Sequence, residues 1–316
     1  MSDEPHGVLI IDKPKAITSH DAVAQARRLF QTRSVGHAGT LDPMATGVLV
    51  LLFGEACKLS NYLSADAKTY LASVRFGIAT DSYDADGEII QRAELPPDFP
   101  NPHDLERALQ AERQRDQQIP PAVSAIHDRG VRAHVRVRRG EAVELNPRPV
   151  HVHRLERSES SASSASSASS ASSASSASSA SSDRGENSVT LELCVSKGYY
   201  VRSLARDLGD RLGAPAHLTA LRRIRSGAFT LEDASPWPPE QPPPLIPLET
   251  AARRALPVTQ LTDDGVRYAR QGKILSAEQA RPSAPGAVSA WFAPDGRIVA
   301  LGVSNEAGHK VVRGFR

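Results

Sequence analysis

A twelve-residue segment at residues 36–47 holds one carboxylate, Asp42, in an unusual setting. The segment reads Gly-His-Ala-Gly-Thr-Leu-Asp-Pro-Met-Ala-Thr-Gly. Three glycines and one proline favour a loop with irregular backbone angles. A carboxylate held there could act in catalysis as a nucleophile or an acid–base group. A single Asp beside proline is more often a turn or cap residue, so the loop alone leaves both interpretations open.

Several other kinds of reactive site are excluded by the same loop and by the cysteine count. The loop has no cluster of metal ligands and no Ser or Cys nucleophile with a paired base. It also lacks the GxxxxGK[ST] and GxGxxG patterns that cradle phosphates. The two cysteines, Cys57 and Cys194, are too few for a disulfide scaffold or a four-thiolate zinc site. We therefore expect no metal.

The elements around this loop mix strands and helices. Residues 7–11 form an apolar run that predicts a strand, and Ser19 is a plausible N-cap for a helix over residues 20–30. A second helix is predicted over residues 201–212, because Gly213 follows it with Pro215 beyond. Strand-like runs lie at residues 70–76, 88–91 and 131–137. The order shows no regular βαβ alternation, so we predict an α+β fold.

Low-complexity stretches divide the chain. Residues 160–182 repeat Ala-Ser-Ser, which offers almost nothing to bury, and predict a flexible insertion at the tip of a hairpin between strands at 150–153 and 189–196. Prolines crowd residues 236–247 and predict a stiff connector. We predict a catalytic domain over residues 1–235 with an insertion at 158–186, a linker over 236–247, and a small β-rich domain over 248–316, with strands at 287–292 and 297–303.

Composition bounds the class of protein. The chain has 316 residues, is 40% hydrophobic and 23% charged, and carries a net charge of +2. This composition is not that of a disordered chain. The longest apolar run, residues 48–53, is far shorter than the roughly 20 residues that span a bilayer. The first six residues are acidic and polar rather than a signal peptide. We therefore expect a cytoplasmic protein with no membrane contact.

The near-zero net charge hides two basic stretches. Residues 129–154 hold seven arginines against two glutamates, and residues 197–225 hold seven Lys and Arg against two aspartates. Stretches of this kind supply phosphate contacts to nucleic acids. Arginines that only solvate exposed strands and helices would give the same counts, so both interpretations stay open.

The loop around Asp42 closely resembles the catalytic motif of the TruB-type tRNA pseudouridine synthases, bacterial enzymes that isomerise uridine 55 in the TΨC arm. Further segments resemble the family's other motifs in the family's order and extend over about residues 7–230. They are GVLIIDKP at 7–14, KTY at 68–70 followed by Gly77, Thr80-Asp81-Ser82, Asp84 and Gly87, QIPPAVSA at 118–125, SKGYYVRSL at 196–204, and LRRIRSG at 221–227.

The resemblance implies roles for three catalytic residues. Asp42 matches the essential aspartate, which is proposed to attack either C1′ of the ribose or C6 of the base, without any cofactor. Tyr70 matches a tyrosine that stacks on the uracil and assists removal of the C5 proton. Arg202 matches the arginine that pairs with the aspartate. Without the family, Tyr70 would be read as a half-buried strand residue and Arg202 as a solvated helix cation.

The resemblance also implies a set of substrate-binding residues. His37 matches the histidine that enters the stack of the tRNA arm where the flipped base leaves; a loop histidine bonded to the backbone is the alternative. Tyr200 and Leu221 match residues that line the uracil pocket, although both could equally belong to the core. Lys13 and Lys68 are supporting or RNA-contacting candidates.

Four features depart from the family pattern. Ala16 stands where the family usually has Gly, His127 where it usually has Lys, and Tyr199 where it usually has Thr, and the Ala/Ser insertion is not a feature that the family predicts. None touches Asp42, Tyr70 or Arg202. We therefore expect these departures to affect RNA affinity more than activity.

The resemblance predicts the remaining properties of the chain. The catalytic fold should have a mixed or antiparallel sheet flanked by helices, followed by a PUA-like RNA-binding domain, and the protein should act as a monomer on tRNA. A catalytically idle RNA-binding protein or tRNA chaperone is the main alternative, although retention of the three catalytic residues argues against it. A subunit of a guide-RNA complex is disfavoured, because the chain lacks a long basic extension.

Overall fold

Two apolar segments form the centre of a large sheet. Gly7–Lys13 and Thr46–Phe53 pair antiparallel along their whole length, with Gly7 opposite Phe53 and Lys13 opposite Gly47. Nearly every residue of both is buried. Strands that are covered on both faces read as continuous apolar runs rather than alternating ones. The loop that carries Asp42 therefore leads directly into a buried strand.

The structure, a computed structural model, describes residues 4–128, 130–158, 187–282, 284, 286–305 and 308–316. The Ala-Ser-Ser repeat predicted as a flexible insertion lies outside these residues. In chain order the strands are β1 (Gly7–Lys13), β2 (Val35–Ala38), β3 (Thr46–Phe53), β4 (Lys68–Phe76), β5 (Ile78–Thr80), β6 (Ile89–Arg92), β7 (Gln117–Gln118), β8 (His127–Asp128), β9 (Val131–Arg132), β10 (Arg148–Pro149), β11 (Val152–Arg157), β12 (Ser188–Val195), β13 (Ala216–Ser226), β14 (Phe229–Thr230), β15 (Ser235–Pro236), β16 (Val258–Leu261), β17 (Ala280–Pro282), β18 (Val288–Phe292), β19 (Ile298–Asn305) and β20 (Gly308–Gly314). The helices are α1 (Ser19–Leu29), α2 (Ser60–Leu63), α3 (Pro102–Arg113), α4 (Ala133–Arg138), α5 (Val201–Leu212), α6 (Leu248–Ala255) and α7 (Asp263–Arg270).

Two sheets organise these elements. The large sheet has the order β11-β12-β4-β13-β3-β1-β15, with β2 added to β3 and β14 to β13. The pairs β1–β15 and β3–β13 are parallel, and the other neighbours are antiparallel. A second sheet, β17-β16-β18-β19-β20, follows near the C-terminus. The predicted α+β class is therefore confirmed, with a mixed sheet and a β-rich C-terminal part.

The large sheet is covered on both faces. Leu9 and Ile11 of β1 pack with α1 and α5 in one buried cluster. The alternating neighbours Val8 and Ile10 pack with α6 and with Phe292 of β18 in a second cluster. Side chains alternate between faces along a strand, so β1 contributes to both layers. The C-terminal sheet thus contacts the back of the large sheet through a shared apolar core. The domain boundaries predicted from the sequence stay a prediction.

The proline-rich connector is attached to β1 at two places. Ser235 of β15 pairs with Ile11, and Val8 and Ile246 exchange backbone hydrogen bonds of 2.9 and 2.8 Å. Between them, the buried indole of Trp237 donates to Gln25 of α1, at 2.6 Å. The connector therefore runs along the edge of the large sheet. No helix in the described ranges is both long and apolar enough to cross a membrane.

The predicted N-cap of α1 is wrong by one residue. Thr18 is the cap, because its hydroxyl accepts from the Asp21 amide while the Asp21 carboxylate accepts from the Thr18 amide. This reciprocal pair is a capping box. Ser19 instead bonds to Leu41, which lies in the loop of Asp42. A local pattern could not distinguish two adjacent hydroxyl residues, one of which serves a distant segment.

The predicted strand over residues 131–137 is also wrong. Only Val131–Arg132 is extended, and α4 follows at once. The alternating apolar and arginine residues suggested a strand, but Ala133 and Val137 are also spaced four apart and share a helix face. Ala133 is fully buried, and Gly140, with φ 75°, follows the end of the helix. Short segments satisfy both periods, and tertiary packing decides between them.

Other predicted elements are confirmed. Helix α5 has the predicted bounds and ends at Gly213, which is left-handed with φ 70°. Strands β11 and β12 pair antiparallel as predicted, although β11 begins two residues after the start of the predicted strand and ends four residues beyond it. In the C-terminal part, β18 and β19 correspond to the strands predicted at 287–292 and 297–303 and pair antiparallel. These elements carry strong local signals, which explains the agreement.

Ala16 provides a test of backbone strain. It has φ 72°, the left-handed region that favours glycine, so this turn holds a conformation that suits the Gly usual in the family pattern. We expect Ala16→Gly to raise the free energy of unfolding by about 0.5–1 kcal/mol, since relief of strain exceeds the entropy that glycine adds to the unfolded chain. Urea unfolding would measure it. Ala24→Gly inside α1 is the control, and should lower stability by about 1 kcal/mol; equal effects of the two changes would contradict the interpretation.

Candidate active site

The loop that carries Asp42 is held by the turn after β1 and by the first residue of α1. The Ser19 hydroxyl accepts from the Leu41 amide at 2.8 Å and donates to the Leu41 carbonyl at 3.1 Å. On the other side of Asp42, the Pro43 carbonyl accepts from the Ala16 amide at 2.9 Å. Both neighbours of Asp42 are therefore held, which limits where its carboxylate can lie.

Arg202, in the first turn of α5, approaches this carboxylate. Its Nε lies 2.9 Å from Asp42 Oδ2, and the side chains are 6% and 35% exposed. The other nitrogens donate to the carbonyls of Ser82 at 3.1 Å and Val123 at 2.9 Å. A planar guanidinium bonded on two further sides has little freedom to turn. The sequence prediction of an Asp42–Arg202 pair agrees with this contact, in which only Asp42 reaches the surface.

A second carboxylate, Asp84, faces Arg202 from the interior. Its Oδ2 lies 3.6 Å from Arg202 Nε, and the side chain is 7% exposed. Asp84 Oδ1 accepts from the Ser82 hydroxyl at 2.6 Å and from the Asp86 amide at 3.1 Å. The sequence analysis placed Asp84 in a family motif but gave it no role. Its place in a matching motif was a signal in the sequence, whereas its burial, which requires a partner, is seen only in the structure.

Tyr200 precedes α5 and is held by Gln118. The Gln118 amide accepts from the Tyr200 N–H at 2.8 Å and donates to the Tyr200 carbonyl at 3.2 Å. Burial raises the pKa of the Tyr200 hydroxyl, and the negative charge of Asp42 raises it further. The phenol is thus protonated at neutral pH and lies within the electrostatic reach of Asp42.

Tyr70 and Leu221 lie on neighbouring strands of the large sheet. Tyr70 of β4 is opposite Arg223 of β13. Tyr70 is partly buried and packs against the same apolar cluster that contains Leu41 and Leu221. Both core packing and contact with a base are compatible with these positions, so their roles stay predictions. Among the described residues, no group of three or more His, Cys, Asp or Glu could hold a metal ion.

Comparison with known protein families agrees with this arrangement. The profile of the TruB family pseudouridylate synthase N-terminal domain matches residues 27–201, more than half of the chain. The chain belongs to the TruB family. The profile of the tRNA pseudouridylate synthase B C-terminal domain matches residues 202–237. Asp42 and Arg202 therefore fall in two adjacent family domains. Membership confirms the resemblance and the predicted enzyme class, an isomerase.

Individual relatives match along nearly the whole chain. The tRNA pseudouridine synthase B of Thermobifida fusca (strain YX) is 40% identical over 93% of each chain. The protein of the same name from Parasynechococcus marenigrum (strain WH8102) is 39% identical over 96% of this chain and 95% of its own. Among solved structures, a chain of a Cbf5–Nop10–Gar1 complex has a TM-score of 0.68 at 21% identity, covering 98% of this chain and 84% of that one. The last similarity shows the fold.

Two predicted RNA-contacting residues of this TruB-family chain are buried. Lys13 is fully buried, and its ammonium donates to the carbonyls of Ile17 at 2.7 Å and Pro14 at 2.9 Å. The Lys68 ammonium donates to the carbonyls of Ser64 and Asp66. Burial lowers the pKa of each lysine to about 8. Their positions favour support of the site over contact with RNA, and that role stays a prediction.

His37 lies on β2, a strand that includes the first residues of the segment predicted as a loop. Its imidazole is half-buried, and Nδ1 has no hydrogen-bond partner among the residues that the structure describes. Burial lowers the pKa of His37, and the positive charge of Arg223 lowers it further. A neutral ring with a free nitrogen is compatible with the predicted stacking role, which stays a prediction.

Tyr199, a departure from the family pattern, joins a buried polar network. Its hydroxyl donates to Glu112 Oε1 at 2.8 Å. Glu112 is fully buried and also accepts from Arg115 Nε at 2.6 Å. Burial, with the negative charge of Glu112, raises the pKa of Tyr199 well above its usual value. Tyr199 therefore links α3 to the segment that leads into Tyr200 and α5.

We expect Asp84→Asn to slow the reaction while leaving RNA affinity unchanged. The Asn carbonyl keeps the hydrogen bonds to Ser82 and Asp86, but Arg202 loses one of its two carboxylates. We expect the rate to fall about 10- to 100-fold, which is less than the loss expected if Arg202 lost both of its carboxylate partners. Single-turnover rates would measure it. Asp86→Asn, an exposed change in the same turn, is the control and should retain the rate; equal losses would contradict a specific role for Asp84.

Proposed function

We propose that this chain isomerises uridine 55 in the TΨC loop of tRNA to pseudouridine. The relatives named tRNA pseudouridine synthase B support tRNA as the substrate. The observation that carries the proposal is the 2.9 Å pair between Arg202 and Asp42, in which the carboxylate is one-third exposed while the arginine is buried. A nucleophile must be held and still reach its substrate, and this pair meets both conditions.

The reaction exchanges one bond of the base for another. The bond between C1′ and N1 breaks, the uracil rotates, and a bond forms between C1′ and C5. The proton on C5 leaves to solvent, and N1 gains a proton, so atoms and charge balance without a redox partner. Asp42 assists by forming a covalent intermediate, at C1′ or at C6, that splits a difficult step into two easier ones.

Side chains around Asp42 have complementary roles in the proposal. Arg202 orients the carboxylate. Tyr70 stacks on the uracil and takes part in removal of the C5 proton. Tyr200, whose phenol pKa is raised further above neutral pH by burial and by Asp42, lines the uracil pocket with Leu221. These assignments rest on position and on the family motifs.

Access to a base in a folded RNA requires that the base leave its stack, which costs a few kcal/mol. In the proposal, the neutral imidazole of His37 fills the vacancy and offsets part of that cost. Phosphates of the arm are bound by the exposed cations of the stretches at residues 129–154 and 197–225, such as Arg138, Lys197 and Arg225, and not by the buried arginines of the second stretch. The PUA-like domain over residues 248–316 extends the contact to another part of the tRNA.

Release of tritium from tRNA labelled at C5 of uracil tests the function. The wild-type protein should release it, and mapping should place pseudouridine at position 55. If the wild-type protein released no tritium, the enzyme assignment would be contradicted and an idle RNA-binding protein or tRNA chaperone would be favoured. If tritium were released but pseudouridine were found at another position, the assignment to uridine 55 would be contradicted. A transcript of the TΨC arm alone tests whether the C-terminal part contributes to binding.

A further inference from the structure

A fully buried arginine lies beneath the loop of Asp42. Arg223 of β13 is 1% exposed. In the part of the chain that the structure describes, its guanidinium is bonded to backbone carbonyls only. A buried cation without a carboxylate partner is costly, because its desolvation is not offset by an opposite charge. The groups that Arg223 holds in place should therefore explain why this cation is buried.

The three carbonyls lie on both sides of Asp42 in the chain. Arg223 Nη2 donates to Gly39 at 3.0 Å and Nη1 to Thr40 at 3.4 Å, just before Asp42. Its Nε donates to Val48 at 2.7 Å, just after the loop. A guanidinium is planar and rigid, so bonds from one such group set the separation of the two ends of the loop. Hydrogen bonds from a cation are also stronger than neutral ones.

The backbone packs closely around this side chain. Gly39 and Gly47 have φ values of 88° and 100°. A Cβ at Gly47 would collide with the Arg223 carbonyl, and one at Gly39 would lie 3.5 Å from Arg223 Nη1. The collision at Gly47 is with the main chain of Arg223, with which Gly47 is paired in the sheet, so close backbone contact requires glycine there. The 3.5 Å approach at Gly39 is an ordinary contact, and glycine is favoured there by its positive φ.

We propose that Arg223 is a positioning residue for Asp42, whose guanidinium joins the two ends of the catalytic loop and so sets the carboxylate against Arg202. Arg223 does not touch the substrate. Loss of the guanidinium leaves three carbonyls without their donor and allows the loop to shift. A displacement of about 1 Å at a reacting group costs on the order of 100-fold in rate. The inference rests on the proposed function of Asp42.

Chemical rescue of a cavity variant tests the proposal. In Arg223→Ala, the single-turnover rate of tritium release should fall about 100-fold while the Kd for tRNA changes less than about threefold. Added guanidinium ion should bind the cavity and restore the rate by at least about tenfold, whereas it should not affect the wild type. Arg223→Lys keeps the charge but not the fork, and should remain at least about tenfold slow.

Arg222→Ala is the matched control. Arg222 is the neighbouring residue of β13, is 4% exposed, and bonds both oxygens of Asp12 at 2.9 and 2.7 Å. Its Nη1 also donates to the Thr46 hydroxyl at 3.3 Å, at the far end of the loop, but in the described structure it has no bond to the residues just before Asp42. We expect a similar loss of thermal stability but a smaller loss of rate, with no rescue by guanidinium.

The outcomes separate the inference from the function on which it rests. A wild-type protein that releases no tritium overturns the proposed function. An active wild type with a fully active Arg223→Lys overturns the need for the fork. An Arg223→Ala rate loss matched by an equal rise in Kd overturns positioning in favour of RNA binding. If Arg223→Ala does not fold, Arg223→Lys decides, since a folded lysine variant at wild-type rate contradicts the proposal.

Discussion

Asp42→Asn is expected to abolish tritium release from C5-labelled tRNA, with a rate loss of at least about 10⁴-fold, the scale seen when a nucleophile is removed. The amide is nearly the same size as the carboxylate but cannot form the covalent intermediate. Asp42 is one-third exposed, so the change should lower the thermal midpoint little. The Kd for tRNA should change less than the rate, because the side chain is one small part of a large contact.

Asp81→Asn is the control for this change. Asp81 is exposed in the turn after β5 and accepts from the Glu88 amide at 2.9 Å, a bond that the Asn carbonyl can keep. The control variant should release tritium at the wild-type rate. An Asp42→Asn protein that still forms pseudouridine would remove Asp42 from the chemistry and leave it the role of a turn residue.

Arg202→Lys is expected to slow single-turnover release by about 100- to 1,000-fold while the protein still folds. Lysine keeps a charge but cannot reach Asp42 and the carbonyls of Ser82 and Val123 at once. Arg202→Met should be slower still and less stable by about 3–5 kcal/mol, because Asp84 is left buried without its cation. Comparison of the two variants separates orientation from charge.

Arg211→Met is the control on the same helix. Arg211 is exposed in the last turn of α5. Its loss should leave the rate unchanged and should change the free energy of unfolding by no more than about 0.5 kcal/mol. If Arg202→Lys were as active as wild type, the guanidinium geometry at Asp42 would be irrelevant to the rate. If Arg202→Met lost tRNA affinity in proportion to rate, Arg202 would act in binding.

Elements with strong local signals could be predicted from the sequence. The apolar runs of β1 and β3, the glycine that ends α5 and the turn between β18 and β19 each depend on residues close in the chain. The strand predicted over residues 131–137 failed, because a short alternating run fits two periods and burial of Ala133 selected the helix. The cap of α1 failed because Ser19 bonds to Leu41 instead.

The candidate site was likewise predicted only in part from the sequence. The family motifs identified Asp42 and Arg202 as partners, and the structure has them in contact. They did not identify Asp84 as the second carboxylate at Arg202, or Arg223 as the donor to the loop. Lys13 and Lys68 were predicted as either supporting or RNA-contacting residues, and their ammonium groups turn inward to carbonyls. Residue type does not reveal which way a long side chain points.

The sequence by itself determined the family and the order of its motifs, and it singled out Asp42 as the carboxylate predicted to react, because these depend on residue types at fixed local spacings. It also determined that the positive charge lies in two stretches around those motifs. Only the tertiary structure decided which cations face the carboxylate and which are buried beneath it. The loop of Asp42, the turn of Asp84 and the first turn of α5 are far apart in the chain, and the sheet brings them together. Contacts between such segments depend on the packing of the whole core, which no local pattern encodes.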